Sequence, residues 1–111
     1  MKIESQKVGS VDVHMPTGPL VDEDADVFKT MLTAKLQAPQ PRFVIALQDV
    51  PYMDSAALET LLDAADAMNE QNQQLKLVSL SPTCREILEL TGLGGRFQVF
   101  ENVQDAVRSF L

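Results

Sequence analysis

Ser55 is the hydroxyl with the most suggestive setting. It directly follows Asp54, between an apolar segment with its loop and a long amphipathic stretch. A serine nucleophile needs a base within hydrogen-bond reach. The chain has one histidine, His14, in a segment whose alternation puts it on the face opposite Val11, Val13 and Met15. Bringing His14 to Ser55 contradicts the core that those residues define. No Gly-x-Ser-x-Gly pattern surrounds Ser55 either, so a small serine hydrolase is disfavoured and no catalytic residue is assigned.

The remaining candidates have ordinary structural explanations. Gly92, Gly94 and Gly95 follow a helical pattern instead of preceding one and lack a Lys-Ser/Thr ending, which fits helix termination better than a phosphate cradle. Asp63 and Asp66 stand at i, i+3 on a polar helix face, where solvation accounts for them. Cys84 is the only cysteine, so no internal disulfide forms; its helical spacing to Ile87 and Leu88 marks a small core residue. One Cys and one His cannot make a Cys/His metal cluster, and no metal or cofactor is expected.

The elements that would carry these residues follow from periodicity. Ile3 to Lys7 and Val11 to Met15 flank the turn pair Gly9-Ser10 and predict an opening hairpin. After the break at Pro16-Thr17-Gly18-Pro19, Asp22, Glu23 and Asp24 place negative charge where a helix N-terminus favours it. Val27, Phe28, Met31, Leu32 and Leu36 continue that helix until Pro39-Gln40-Pro41 stops it. The unbroken apolar run Phe43 to Leu47 fits a central strand covered on both faces. Beyond the loop Gln48 to Asp54, Leu58, Leu61, Leu62, Ala65 and Met68 mark one face of a second helix, with Glu59, Asp63, Asp66 and Glu70 on the other.

Leu75 to Leu80 predicts a further strand. Ser81-Pro82 then supplies an N-cap serine ahead of a proline at the first position of a third helix, which runs to about Leu90 and stops at Gly92. Phe97 to Phe100 reads as a short strand, and Val103, Ala106, Val107, Phe110 and Leu111 as a last amphipathic helix. The expected fold is α/β: one domain over residues 1–111, in β-β-α-β-α-β-α-β-α order, with a mixed sheet of about five strands and about four helices, parallel after the hairpin.

Composition narrows the function classes. The 111 residues carry 16 acidic and 9 basic side chains, a formal charge of -7, and no Lys/Arg run suits a phosphate backbone, so nucleic acid is not an expected partner. The start Met1-Lys2-Ile3-Glu4-Ser5 has no apolar segment of signal-peptide length, and Phe43 to Leu47 is too short to cross a bilayer, so a cytoplasmic protein without direct membrane insertion is expected.

Locally, Asp54 or Ser55 can accept a hydrogen bond from the free amides of the helix that begins there, as a plain N-cap does. Val50, Tyr52 and Met53 in the preceding loop are apolar residues of an exposed type. The small pair Ala56-Ala57 leaves room for close approach by a partner.

The stretch Asp49-Val50-Pro51-Tyr52-Met53-Asp54-Ser55-Ala56-Ala57-Leu58 resembles the signature of STAS domains, the anti-sigma-factor antagonist family. The later stretch from Leu80-Ser81-Pro82 to Leu90-Thr91-Gly92-Leu93 is similar to the family's third helix and following turn. The resemblance implies that Ser55, directly after the motif's Asp, is phosphorylated by a partner kinase, and that the unmodified form binds an anti-sigma factor or serine kinase. It implies a partner surface of Leu20, Val21, Asp22, Tyr52, Met53, Asp54, Ser55, Ala56 and Ala57, in a protein that is not itself an enzyme. Ala56 and Ala57 stand where the usual motif has Ser or Thr and then Gly, and Val21 stands at an Asp position. These departures keep open a second expectation, a STAS subunit docked constitutively on the ATPase of a lipid-trafficking transporter.

Overall fold

The computed structural model describes residues 1–111, and its sheet has one antiparallel pairing, the hairpin that opens the chain. Strand β1 (Lys2–Val8) turns back through Gly9 into β2 (Val11–Thr17), with Val8 opposite Val11 and Lys2 opposite Thr17. Gly9 takes φ +63°, a left-handed geometry that tight hairpin turns ask of their first central residue and that glycine adopts without strain.

Helix α1 (Asp22–Lys35), strand β3 (Phe43–Ala46), helix α2 (Ser55–Glu70), strand β4 (Lys76–Val78), helix α3 (Pro82–Thr91), a 3₁₀ turn (Gly94–Arg96), strand β5 (Gln98–Phe100) and helix α4 (Val103–Arg108) complete the chain. The spatial order is β1-β2-β3-β4-β5, and the pairings from β2 to β5 are parallel. The α/β architecture and parallel sheet expected from the strand-helix alternation are thus present.

Strand β3 is buried at every position because both faces of the sheet are covered. On one face Phe43, Ile45, Leu47 and Leu77 pack with Phe28 and Leu32 of α1, Leu61 and Met68 of α2, and Leu88 of α3. On the other, Val11, Val13, Val44, Ala46 and Val78 pack against Ala106 of α4. Each fully buried aliphatic or aromatic side chain contributes roughly 1.5–3 kcal/mol of transfer free energy, so the larger, three-helix side dominates the stability.

Double coverage corrects the view of β2 as a strand with one core face. His14 does lie opposite Val11 and Val13, but it is buried on the three-helix side: Ser5 Oγ is 2.7 Å from its Nδ1 and its ring lies 6.0 Å from that of Phe43. Burial pushes the imidazole pKa down, Lys35 pushes it further, and Asp12 opposes them.

Other corrections are local. Helix α1 buries Ala25, Phe28 and Leu32, a stripe that leaves Val27 47% exposed. Strand β4, Lys76–Val78, is shorter than Leu75 to Leu80; its C-terminal end is set by Ser79, which takes φ +55° while its N–H still donates to Phe100 O and its hydroxyl donates to the Glu101 carbonyl at 2.8 Å. The caps of α3 are as expected: Ser81 Oγ accepts from Cys84 N, Pro82 is the first helical residue, and Gly92 closes the helix at φ +71°. Cys84 is fully buried, and its surroundings raise the thiol pKa by desolvation.

Candidate functional site

The loops that leave β2 and β3 at the C-terminal edge of the sheet are zipped together. Gly18 N donates to Asp49 O at 2.9 Å, Leu20 N to Tyr52 O at 3.0 Å, and Asp54 N to Leu20 O at 2.9 Å. Leu20 and Met53 thereby form a parallel bridge beyond the named strands. From α3, Ser81 Oγ donates to Val50 O at 2.6 Å. A loop whose backbone groups are satisfied by two separate segments has little freedom to rearrange, so it presents a preformed surface.

Asp54 completes this frame. Its Oδ1 accepts from Ala57 N at 2.9 Å, the N-cap bond of α2, and its Oδ2 accepts from Asp22 N at 3.0 Å, at the start of α1. One carboxylate therefore ties together the N-termini of two helices. The Ala57 N–H, and after it the Asp22 N–H, hold the Asp54 pKa below the usual carboxylate range, against a smaller opposing desolvation. Asp22 itself takes φ +51°, a left-handed geometry that aspartate tolerates better than most residues, and this geometry accompanies the turn of its N–H onto Asp54.

Ser55 is the first residue of α2 and exposed, so Asp54 takes the cap and Ser55 is left facing outward. Tyr52 is 49% exposed; Ala56 and Asp22 are exposed, and Val21 and Asp54 are half-buried. Leu20, Met53 and Ala57 lie underneath: Leu20 and Ala57 are fully buried and Met53 is 8% exposed. Val50 is also fully buried. The exposed character expected for Val50 and Met53, and the open space expected at Ala57, are corrected. All three belong to the main core, because the zipped loops turn those side chains inward. The surface that the structure does expose here consists of Tyr52, Asp54, Ser55, Ala56, Val21 and Asp22.

Its chemistry is that of an accessible hydroxyl beside an ionised carboxylate, at the positive end of a 16-residue helix. The imidazole of His14 pairs instead with Ser5, inside the sheet. No group of three or more His, Cys, Asp and Glu side chains converges as a metal site, and no helix is long and apolar enough to cross a membrane. The role of Ser81 as an anchor for Val50 was not visible in its sequence context, which specifies only a helix cap. The second acceptor bond of Asp54 was equally hidden, because its donor lies 32 residues away.

The STAS domain family model matches residues 2–106. BtrV of Bordetella bronchiseptica, a candidate anti-sigma factor antagonist, is 26% identical over 110 residues, covering 99% of this chain and 95% of that protein. Among solved structures, a candidate anti-sigma factor antagonist from Thermotoga maritima superposes with a TM-score of 0.86 at 22% identity, covering 96% of this chain and 92% of that one. The anti-sigma factor antagonist SpoIIAA in its unphosphorylated form superposes with a TM-score of 0.77 at 18% identity, covering 98% and 96%. Its phosphorylated form gives 0.74 at 15%, covering 99% and 100%.

Proposed function

Because the chain belongs to the STAS domain family, we propose that the edge around Asp54 and Ser55 is a protein-docking surface, holding an anti-sigma factor or serine kinase when Ser55 is unmodified and releasing it when Ser55 is phosphorylated. The carrying observation is the division of labour at the start of α2. Asp54 is committed to two backbone amides, while the neighbouring Ser55 hydroxyl is exposed. Modification of Ser55 therefore leaves the cap and the fold in place and changes only what the surface presents.

The energetics favour a switch of the interface. Phosphorylation adds about -1.5 to -2 charge at Ser55, where the α2 N-terminus offsets part of it, by roughly 0.3–1 kcal/mol. Turning a complex from ten-to-one bound to one-to-ten takes about 2.7 kcal/mol. One crowded like-charge contact at about 4 Å supplies about 4 kcal/mol at an effective dielectric near 20. The existence of SpoIIAA in phosphorylated and unphosphorylated forms supports the reading, as does the anti-sigma factor antagonist description shared by the relatives. On this reading the phosphoryl chemistry belongs to the partner and this chain is a binding module.

The test incubates the protein with serine kinases encoded near its gene and ATP, followed by intact-mass measurement and a partner pull-down. A phosphate mass gain that is lost in Ser55→Ala, with a partner retained by the unmodified protein and shed by Ser55→Asp, is the expected outcome. No mass gain, together with undiminished partner binding by Ser55→Asp, overturns the switch. In that case a transporter ATPase in the pull-down identifies a constitutive docking subunit.

A further inference from the structure

The N-terminal edge of the parallel strands, at the other end of the sheet from Ser55, holds a polar cavity of about 630 Å³. Its lining contains two cations, Arg42 just before β3 and Lys76 at the first position of β4, and no carboxylate side chain. In a chain with a formal charge of -7, that local excess of positive charge is unusual.

Lys76 is the stronger anomaly. It lies in an inner strand of the sheet and is only 8% exposed. Its ammonium donates to Ser109 Oγ at 2.7 Å and sits 3.7 Å from the centre of the Phe110 ring, but it is absent from every ion pair of the molecule. Buried lysines are normally paired, because the loss of hydration is otherwise uncompensated. Here the desolvation pushes the Lys76 pKa down. Arg42 is likewise free of carboxylates and makes only a long 3.4 Å contact with Ser10 Oγ. Beside them Gln73 carries a buried side-chain oxygen, Oε1, with no hydrogen-bond partner. A buried cation without a counter-ion and a buried acceptor without a partner are both costly, and both residues line this cavity.

We propose that this cavity binds a small hydroxyl-rich anion, its phosphate or carboxylate head held by Lys76 and Arg42 and its hydroxyls held by the amides of Gln73, Gln98 and Asn69. Lys76 supplies a point charge and Arg42 a planar fork, a combination suited to anionic oxygens. Side-chain amides donate and accept at once, as hydroxyls do, so they match a sugar-like body better than an aromatic one. Gln98 pairs with Lys76 across the β4–β5 register and points from the same face of the sheet. A volume of this size is within the range of small-molecule sites. The site is independent of the Ser55 surface.

The test titrates the full chain with glucose 6-phosphate, gluconate, inorganic phosphate and glucose while following backbone and side-chain amide resonances. The expected result is saturable shifts at Gln73, Gln98 and Asn69 with glucose 6-phosphate or gluconate; the tighter of the two identifies the head group. Lys76→Met should weaken binding by at least about tenfold, the scale of one lost charge-assisted hydrogen bond. Met preserves the length of the buried stem, and the exposed Arg42→Gln provides an independent, smaller loss if the first variant folds poorly. Arg85→Gln, on α3 and outside the cavity, should bind normally. The proposal is overturned if no saturable shift occurs, if glucose or inorganic phosphate binds as tightly as the better of glucose 6-phosphate and gluconate, or if neither cavity variant weakens binding.

Discussion

The two edges of the sheet solve the problem of unpaired polar groups in opposite ways. At the C-terminal edge, the loops after β2 and β3 satisfy one another, and Asp54 satisfies the amides of two helices at once. At the N-terminal edge, Lys76 and Gln73 are taken into the protein without ionic or acceptor-satisfying partners of their own. The first edge is a finished surface, where we propose protein docking; the second is a polar cavity, where we propose a small anion. The charges follow suit: Asp22, Glu23 and Asp24 open α1 and Asp54 caps α2, while Arg42 and Lys76 line the cavity.

The contrast is broken most severely by removing what lies beneath the finished edge. Leu20→Ala deletes a fully buried side chain of the main core and should cost about 2–5 kcal/mol in denaturant unfolding, with partner binding failing alongside. Ser55→Asp should lower partner affinity by about 100-fold in a titration, the 2.7 kcal/mol of the proposed switch, while moving the thermal midpoint by less than about 2 °C.

Asp54→Asn should act between these extremes. The amide can still accept from Ala57, but its nitrogen then faces the Asp22 N–H, donor against donor. The thermal midpoint should fall by about 2–6 °C at neutral pH, the scale of one lost hydrogen bond in a domain of this size, with the α2 cap retained. Because the folded pKa of Asp54 is lowered, its stabilisation is fully present above the ordinary Asp value. It is lost as pH falls through the folded value, so the gap between wild type and Asp54→Asn should close in acid. A gap that stays constant down to acid pH would remove the ionic role assigned to the cap.

The smallest effect sharpens the contrast at the other edge. Lys76→Met should leave stability unchanged or raise it by about 1 kcal/mol, since an unpaired buried cation is replaced by an apolar group of similar length. The folded pKa of Lys76 is lowered from 10.5. Between those two values the unfolded chain binds more protons, and wild-type stability rises with pH there. The methionine variant lacks that contribution. If Lys76→Met instead loses several kcal/mol, the lysine is a structural group and the edge is no less finished than its opposite.

Much of this was legible along the chain. The Gly9-Ser10 turn, the Ser81-Pro82 cap, the Gly92 stop and the apolar run at Phe43 are local signals, because the conformations they set depend on neighbours a few residues away. The candidate site was legible as a place, through the stretch from Asp49 to Leu58, but not as an arrangement. Local sequence could not choose between Asp54 and Ser55 as the cap, nor tell that Val50, Met53 and Ala57 face inward while Tyr52 does not. Periodicity misplaced Val27 for a related reason: only the packing of α1 decides which 3.6-residue stripe is buried.

By itself, the sequence determined the order of strands and helices, the hairpin and parallel connections, and the position of a hydroxyl beside a carboxylate at a helix start. Those depend on backbone preferences and on apolar periodicity, which act over a few turns. Tertiary structure alone decided that Asp54 holds two helices, that Ser55 therefore faces outward, that His14 is buried against Phe43, and that Lys76 enters the interior without a counter-ion. Each of these depends on groups roughly 30 residues apart in the chain that meet only when the sheet has been covered on both faces. Hydrogen bonds and charges act at contact distance, so their partners are set by the fold and not by nearness along the chain.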